Sequence, residues 1–215
     1  LAEVDESTRM HLAVGTSLAN IIPTSIISVY SHAKRKAVEF KLLQLIGPSI
    51  VVGVILGTVV ASNITGSMLM LTYAVLLFLV ALQFFFWQDK WKIADTFPTN
   101  NLKNIFGTSI GFLSTIIGIG GGSLSIPLLK LYSFPIHKAI GTAAAIGTLI
   151  AIPGTIGFII SGIYNEISLP LSIGYVNFLG LLMISPMTVI SAPLGVRFAH
   201  YLSQRTLNKI FAIFI

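Results

Sequence analysis

A chain of 215 residues with 54% hydrophobic and 9% charged residues, and a mean hydropathy of +0.90, is no soluble domain, since those carry about 25% charge. Its 13 lysines and arginines against 7 acids, a net charge of +6, point to basic loops at a membrane face rather than to nucleic acid. With no cysteine, there is no disulfide frame, thiolate nucleophile or Cys-ligated metal.

The opening residues 1–8, with Glu3, Asp5 and Glu6, read as an acidic lead and not as a signal peptide. Charge is missing between Lys41 and Asp89, Lys103 and Lys130, Lys138 and Glu166, and Glu166 and Arg197. Each window matches or exceeds the roughly 20 apolar residues of a spanning helix, and none alternates as a barrel strand does.

Residues 12–31 form the first predicted span, with a kink at Pro23. A basic loop follows with Lys34, Arg35, Lys36 and Lys41, which read as topology determinants facing anionic lipid. Residues 42–60 span again, and Gly53 and Gly57 have the spacing of closely packed helix pairs in lipid. Residues 68–87 span a third time and end in Phe84, Phe85, Phe86 and Trp87, an interfacial belt. Residues 88–103 are a polar linker. Residues 104–117 and 123–133 flank a glycine break, and each is too short to cross alone. Residues 139–163 span with a kink near Pro153, and residues 171–190 span after a turn holding Glu166. A polar loop at 195–209 precedes a last helix, which stops within an apolar run. His11, His32, His137 and His200 fall at predicted helix ends, where capping is expected rather than metal binding.

The break reads Gly118-Ile119-Gly120-Gly121-Gly122-Ser123. Three consecutive glycines cost a helix about 1 kcal/mol each relative to alanine. In lipid no water satisfies the amides freed there, so such a break must be enclosed by protein or line a wet cavity. A short helix restarting beyond it would point its free N–H groups at the break, a ready site for an anion.

The sequence also repeats itself: His11 through Gly15 and Thr16 aligns with His137 through Gly141 and Thr142, and Gly57 resembles Gly195. By this alignment residues 1–88 are a first repeat lacking its N-terminal hairpin, 89–103 a cytoplasmic linker, and 104–215 a second repeat truncated in its last helix. Charge chooses the threading. If 104–129 crosses once, the 13 basic residues divide between the two sides; if it is a re-entrant hairpin, all but Arg9 share one side. The expected fold is therefore all-α and polytopic, with two inverted repeats, each a glycine-broken hairpin plus three spanning helices.

The segment from Gly118 through Gly120, Gly121, Gly122, Ser123 and Ser125 to Pro127 and Leu128, followed by Ala139-Ile140-Gly141-Thr142, resembles the signature of the TauE/SafE sulfite exporter family. Ala13-Val14-Gly15-Thr16-Ser17 and the basic run from Ser31 to Lys36 resemble its first repeat. The resemblance covers essentially the whole chain and implies a bacterial inner-membrane protein that moves small anions such as sulfite, sulfoacetate or other sulfonates. In two places the chain departs from the pattern: the first-repeat glycine motif is absent, and the second repeat reads Gly-Thr-Ala where the first reads Gly-Thr-Ser.

The expected substrate contacts are Gly120, Gly121, Gly122 and Ser123, with Gly15, Thr16, Ser17, Asn20, Gly141 and Thr142 adding donors; the bland alternatives are close packing for the glycines, back-bonding for the hydroxyls and an interhelical bond for Asn20. For Asn177 the interhelical bond is favoured. No lysine or arginine lies in a mid-membrane segment, so backbone amides and hydroxyls would hold the anion. The expected function is export or exchange of small organosulfur or sulfite anions by alternating access; an uptake permease, a channel-like facilitator or a non-transporting subunit are the alternatives. Its partners are the anion, the bilayer and, as candidate coupling ion, the proton; no nucleic acid, metal or cofactor is expected. Paired aspartates, a zinc site and other catalytic sets are missing at mid-depth, so no enzyme is expected, and the carboxylate of a proton-driven carrier is missing there too.

Overall fold

The computed structural model describes residues 6–86, 92–167 and 169–203, together with 206, 210 and 213. The acidic lead before Glu6, the side chains of the aromatic cluster at 84–87, and most of the chain beyond Ser203 lie outside that description. In chain order the helices are α1 (Glu6–Ala33), α2 (Phe40–Asn63), α3 (Gly66–Phe86), α4 (Leu102–Ile117), α5 (Gly122–Leu131), α6 (Ile136–Tyr164) and α7 (Phe178–Tyr201). Among the described residues, 5 helices are long and apolar enough to cross a membrane, and α4 and α5 are shorter apolar helices. The chain is thus a polytopic helical membrane protein.

α1 and α6 form the centre. They pack antiparallel: Gly15 of α1 lies against Phe158 of α6, Leu18 against Gly154, and His32 against Gly141. Leu18, Ile146, Ile150 and Phe158 are fully buried between them. α2 runs beside α6 and packs most extensively against α4. The close approach expected at Gly53 and Gly57 is there, and α4 answers it with Gly107 and Gly111. A Cβ at Gly53 would collide with the Thr108 carbonyl, and one at Gly111 with the Ile50 carbonyl. Neither helix could come this close with a larger residue at those positions. The outer faces of α2, α3 and α7 carry exposed Ile55, Leu71, Phe78, Leu182 and Met187, suited to acyl chains.

α4 and α5 turn back on each other. Phe106 near the start of α4 and Tyr132 at the end of α5 have ring centroids 5.9 Å apart, and Phe97 packs on both. Ile93 N–H, just ahead of α4, donates to the Leu131 carbonyl at 2.8 Å. The two ends therefore share one level, as a re-entrant hairpin requires. The same end of the bundle gathers the turn after α1, the start of α6 and the end of α7. Lys138 pairs with Glu39 at 3.1 Å. His200 Nε2 lies 3.4 Å from His32 Nδ1 and its ring stacks on His137 at 4.6 Å.

The last span differs from its sequence-based bounds. Residues 171–177 are not helical: Ser172–Ile173 (β1) and Val176–Asn177 (β2) form a short antiparallel hairpin around Gly174. Asn177 then caps α7, its Oδ1 accepting from the Gly180 N–H at 2.8 Å. At the other end α7 continues to Tyr201, through residues assigned above to a polar loop. Arg197 and His200 are polar without being helix-breaking, so charge marked the membrane edge there and not the helix end.

Candidate functional site

The glycine break is built from two left-handed residues. Gly118 ends α4 at φ 71° and Gly121 precedes α5 at φ 71°. Both conformations disfavour any residue with a Cβ. The Gly118 N–H bonds back to Thr115 and the Ile119 N–H to Ser114, which closes the last turn of α4. The α5 ladder begins only with the Ser125 N–H, 2.8 Å from the Gly121 carbonyl, and no side chain caps this end. The amides of Gly122, Ser123 and Leu124 are left for whatever lies in front of them. At mid-depth in lipid that is costly without a partner.

Two helices, α1 and α6, hold the break at the mid-height of the bundle. Val14 of α1 packs on Gly118, and the Ser17 hydroxyl donates to the Gly118 carbonyl at 2.8 Å. Gly120 lies against Ile21 of α1 and Gly147 of α6, both near the middle of their helices. Gly121 is pressed against Ile150 and Ile146 of α6, where an added Cβ would stand 2.5 Å from Ile150 Cδ1. Gly122 is different: a Cβ there would meet nothing within 4 Å.

The space in front of Gly122 is a cavity of about 680 Å³. Of the residues expected to contact substrate, Asn20, Gly120, Gly122 and Ser123 line it. Ser123 Oγ is covered and has no hydrogen-bond partner among the described residues. Thr24, Ser25, Ser28, Tyr73 and Thr188 add hydroxyls, and the rest of the wall is largely apolar. No charged side chain is among the described lining residues. What the arrangement offers is the uncapped first turn of α5, a positive helix end worth roughly half a unit charge, with the Asn20 amide and the Ser123 hydroxyl beside it; the protons of Thr24, Ser25 and Thr188 already go to protein acceptors.

Gly121, Gly15, Thr16, Ser17, Gly141 and Thr142 are outside the described lining. The two Gly-Thr pairs have matching positions at opposite ends of the bundle. Gly15 admits the Tyr175 carbonyl, and Thr16 Oγ1 accepts from the Asn177 N–H at 3.0 Å, which seats the start of α7. Gly141 admits the Ala37 carbonyl, and Thr142 Oγ1 accepts from the Glu39 N–H at 3.0 Å, which seats the start of α2. In each case the glycine removes a clash and the hydroxyl satisfies a backbone donor ahead of the next helix. Ser17 serves the break from behind, through its bond to Gly118.

Thr24, Ser25, Ser28, Tyr73 and Thr188 line the cavity without being among the contacts expected from the sequence. Part of the signal was present: Asn20, Thr24 and Ser28 recur at i+4 on α1, one polar stripe on an apolar helix. Tyr73 and Thr188 come from α3 and α7, and only the packing brings them to this stripe.

The profile of the family described as "Sulfite exporter TauE/SafE" matches residues 4–215. A "Probable membrane transporter protein" of Haemophilus influenzae is 29% identical over 215 residues, covering 100% of this chain and 81% of that one. One of Methanocaldococcus jannaschii, of the same description, is 31% identical over 202 residues, covering 91% and 73%. Another, of Bacillus subtilis, is 27% identical over 212 residues, covering 96% and 81%. No solved structure matches.

Proposed function

The chain belongs to the sulfite exporter TauE/SafE family, and from that premise we propose that it exports or exchanges small sulfur-containing oxyanions across the membrane by alternating access. The observation that carries this is the first turn of α5, whose uncapped amides open with Gly122 and Ser123 onto a mid-depth cavity. Asn20, Gly120, Gly122 and Ser123 are the proposed contacts. A site of neutral donors around a partial helix charge favours an anion without trapping it, which suits a carrier that must release its cargo.

Residues 1–88 and 104–215 are proposed to be two repeats of opposite orientation that rock about this cavity. The antiparallel packing of α1 on α6 and the matching Gly-Thr seats support that plan. The basic end of the bundle is proposed to face the cytoplasm.

The test uses the absence of cysteine from this chain. Gly122→Cys supplies a single thiol in open space beside the first turn of α5. In the reconstituted protein, methanesulfonate or sulfoacetate at concentrations well above its dissociation constant should slow alkylation by a small maleimide at least about tenfold. Labelling that ignores these anions would contradict the reading.

A further inference from the structure

The amide of Asn20 is anchored on one side and open on the other. Its Oδ1 accepts from the Ser185 hydroxyl of α7 at 2.7 Å, with the Thr188 hydroxyl at 3.5 Å from the same atom. The Thr24 hydroxyl, one turn along α1, lies 2.9 Å from the Thr188 hydroxyl and 3.0 Å from the backbone carbonyl of Asn20. In this orientation both α7 hydroxyls face the amide oxygen, and no other acceptor takes the Ser185 proton among the described residues. The carbonyl side of Asn20 is therefore committed to α7. Its NH₂ carries two donors, finds no partner among the described residues, and belongs to a side chain that lines the cavity.

We propose that Asn20 is the side-chain donor that selects an oxyanion in the cavity, and that Ser185 is the positioning residue that holds it donor-first. This deepens the transport reading above and rests on it. Asn20 alone could serve a cation through its oxygen or an anion through its nitrogen. With the oxygen occupied by α7, the nitrogen is what remains, so the cargo is rich in acceptors. The arrangement also ties recognition to the seam between α1 and α7. If α7 shifts against α1, the Ser185 bond breaks, the amide loses its anchor, and the cavity loses a directed donor. Binding and α7 position are then linked.

Four forms of the full chain, titrated calorimetrically with methanesulfonate in detergent, test this: unmodified, Asn20→Ala, Ser185→Ala and the double variant. Asn20→Ala should weaken methanesulfonate at least about tenfold, the cost of losing a hydrogen bond to a charged group. Ser185→Ala should weaken it about three- to tenfold, and Ser185→Thr, which keeps the hydroxyl, should restore it. In the Asn20→Ala background the further change Ser185→Ala should cost nothing, because the residue acts through Asn20. Methylammonium should bind none of the four. Additive losses would make Ser185 merely structural, and unchanged affinity in Asn20→Ala would remove Asn20 from the site; either overturns this inference alone. An unmodified protein that binds no anion overturns the transport reading with it.

Discussion

Gly121 and Gly122 are neighbours of identical composition with opposite duties. Gly121 sits at φ 71° with Ile150 and Ile146 closed over it, while Gly122 is helical with open space where a side chain would be. Gly121→Ala should therefore lower stability by about 1–3 kcal/mol, from left-handed strain and overpacking together. Gly122→Ala should leave it unchanged or raise it by up to about 1 kcal/mol, since alanine is the better helix former. Thermal unfolding of the two variants in the same detergent checks this, and equal losses would contradict it. The hydroxyls of Thr16 and Thr142 each satisfy a backbone N–H. Thr16→Val and Thr142→Val should each cost about 1–2 kcal/mol by orphaning that donor, read in the same melts. The residue types at all four positions were legible as sites of interest in the sequence. What could not be read was which face of the break each glycine presents, because that depends on how α6 closes behind it.

At the scale of elements, the hairpin of α4 and α5 was readable because the distribution of basic residues decides between threadings even where local pattern is silent. A single crossing would have split Lys130, Lys138 and Arg197 from Lys34 and Lys103; folding the segment back unites them. The ring contact of Phe106 with Tyr132 is the structural counterpart of that argument. The start of α7 was not readable, since residues 171–177 are as apolar as a helix. It is decided by Gly174 at φ 54° and by the Asn177 cap, two local features inside a hydrophobic run. The seam between α2 and α4 offers a sharper test of packing. Gly111→Leu drives a side chain into the backbone of α2 at Ile50, and it should cost at least about 3 kcal/mol or abolish folding, judged by monodispersity and melting temperature. Topology is checked by single cysteines: Ser133→Cys and Tyr201→Cys should label from one side of the membrane and Asn165→Cys from the other. Labelling of Ser133→Cys and Tyr201→Cys from opposite sides would contradict the hairpin.

Across the whole molecule, the glycine signature, the apolar spans and the charge bias together made a transporter-like membrane fold legible. The cavity was only half legible, because Thr24 and Ser28 lie on α1 with Asn20, whereas Tyr73 and Thr188 arrive from distant helices. α1 is the element that unites these scales. It buttresses the break through Ser17, lines the cavity through Asn20, and meets α7 along Thr24. Two glycines then provide a matched pair for function: Gly122 opens on the cavity, while Gly195 of α7 also has nothing within 4 Å but lies outside the described lining. Sulfite or methanesulfonate counterflow should be measured in proteoliposomes carrying Gly122→Leu or Gly195→Leu at equal insertion. If anions pass beside the first turn of α5, Gly122→Leu should lose at least about tenfold in rate, near 1.4 kcal/mol, and Gly195→Leu should match the unmodified protein. Equal rates in Gly122→Leu and the unmodified protein would mean that the cargo does not pass there.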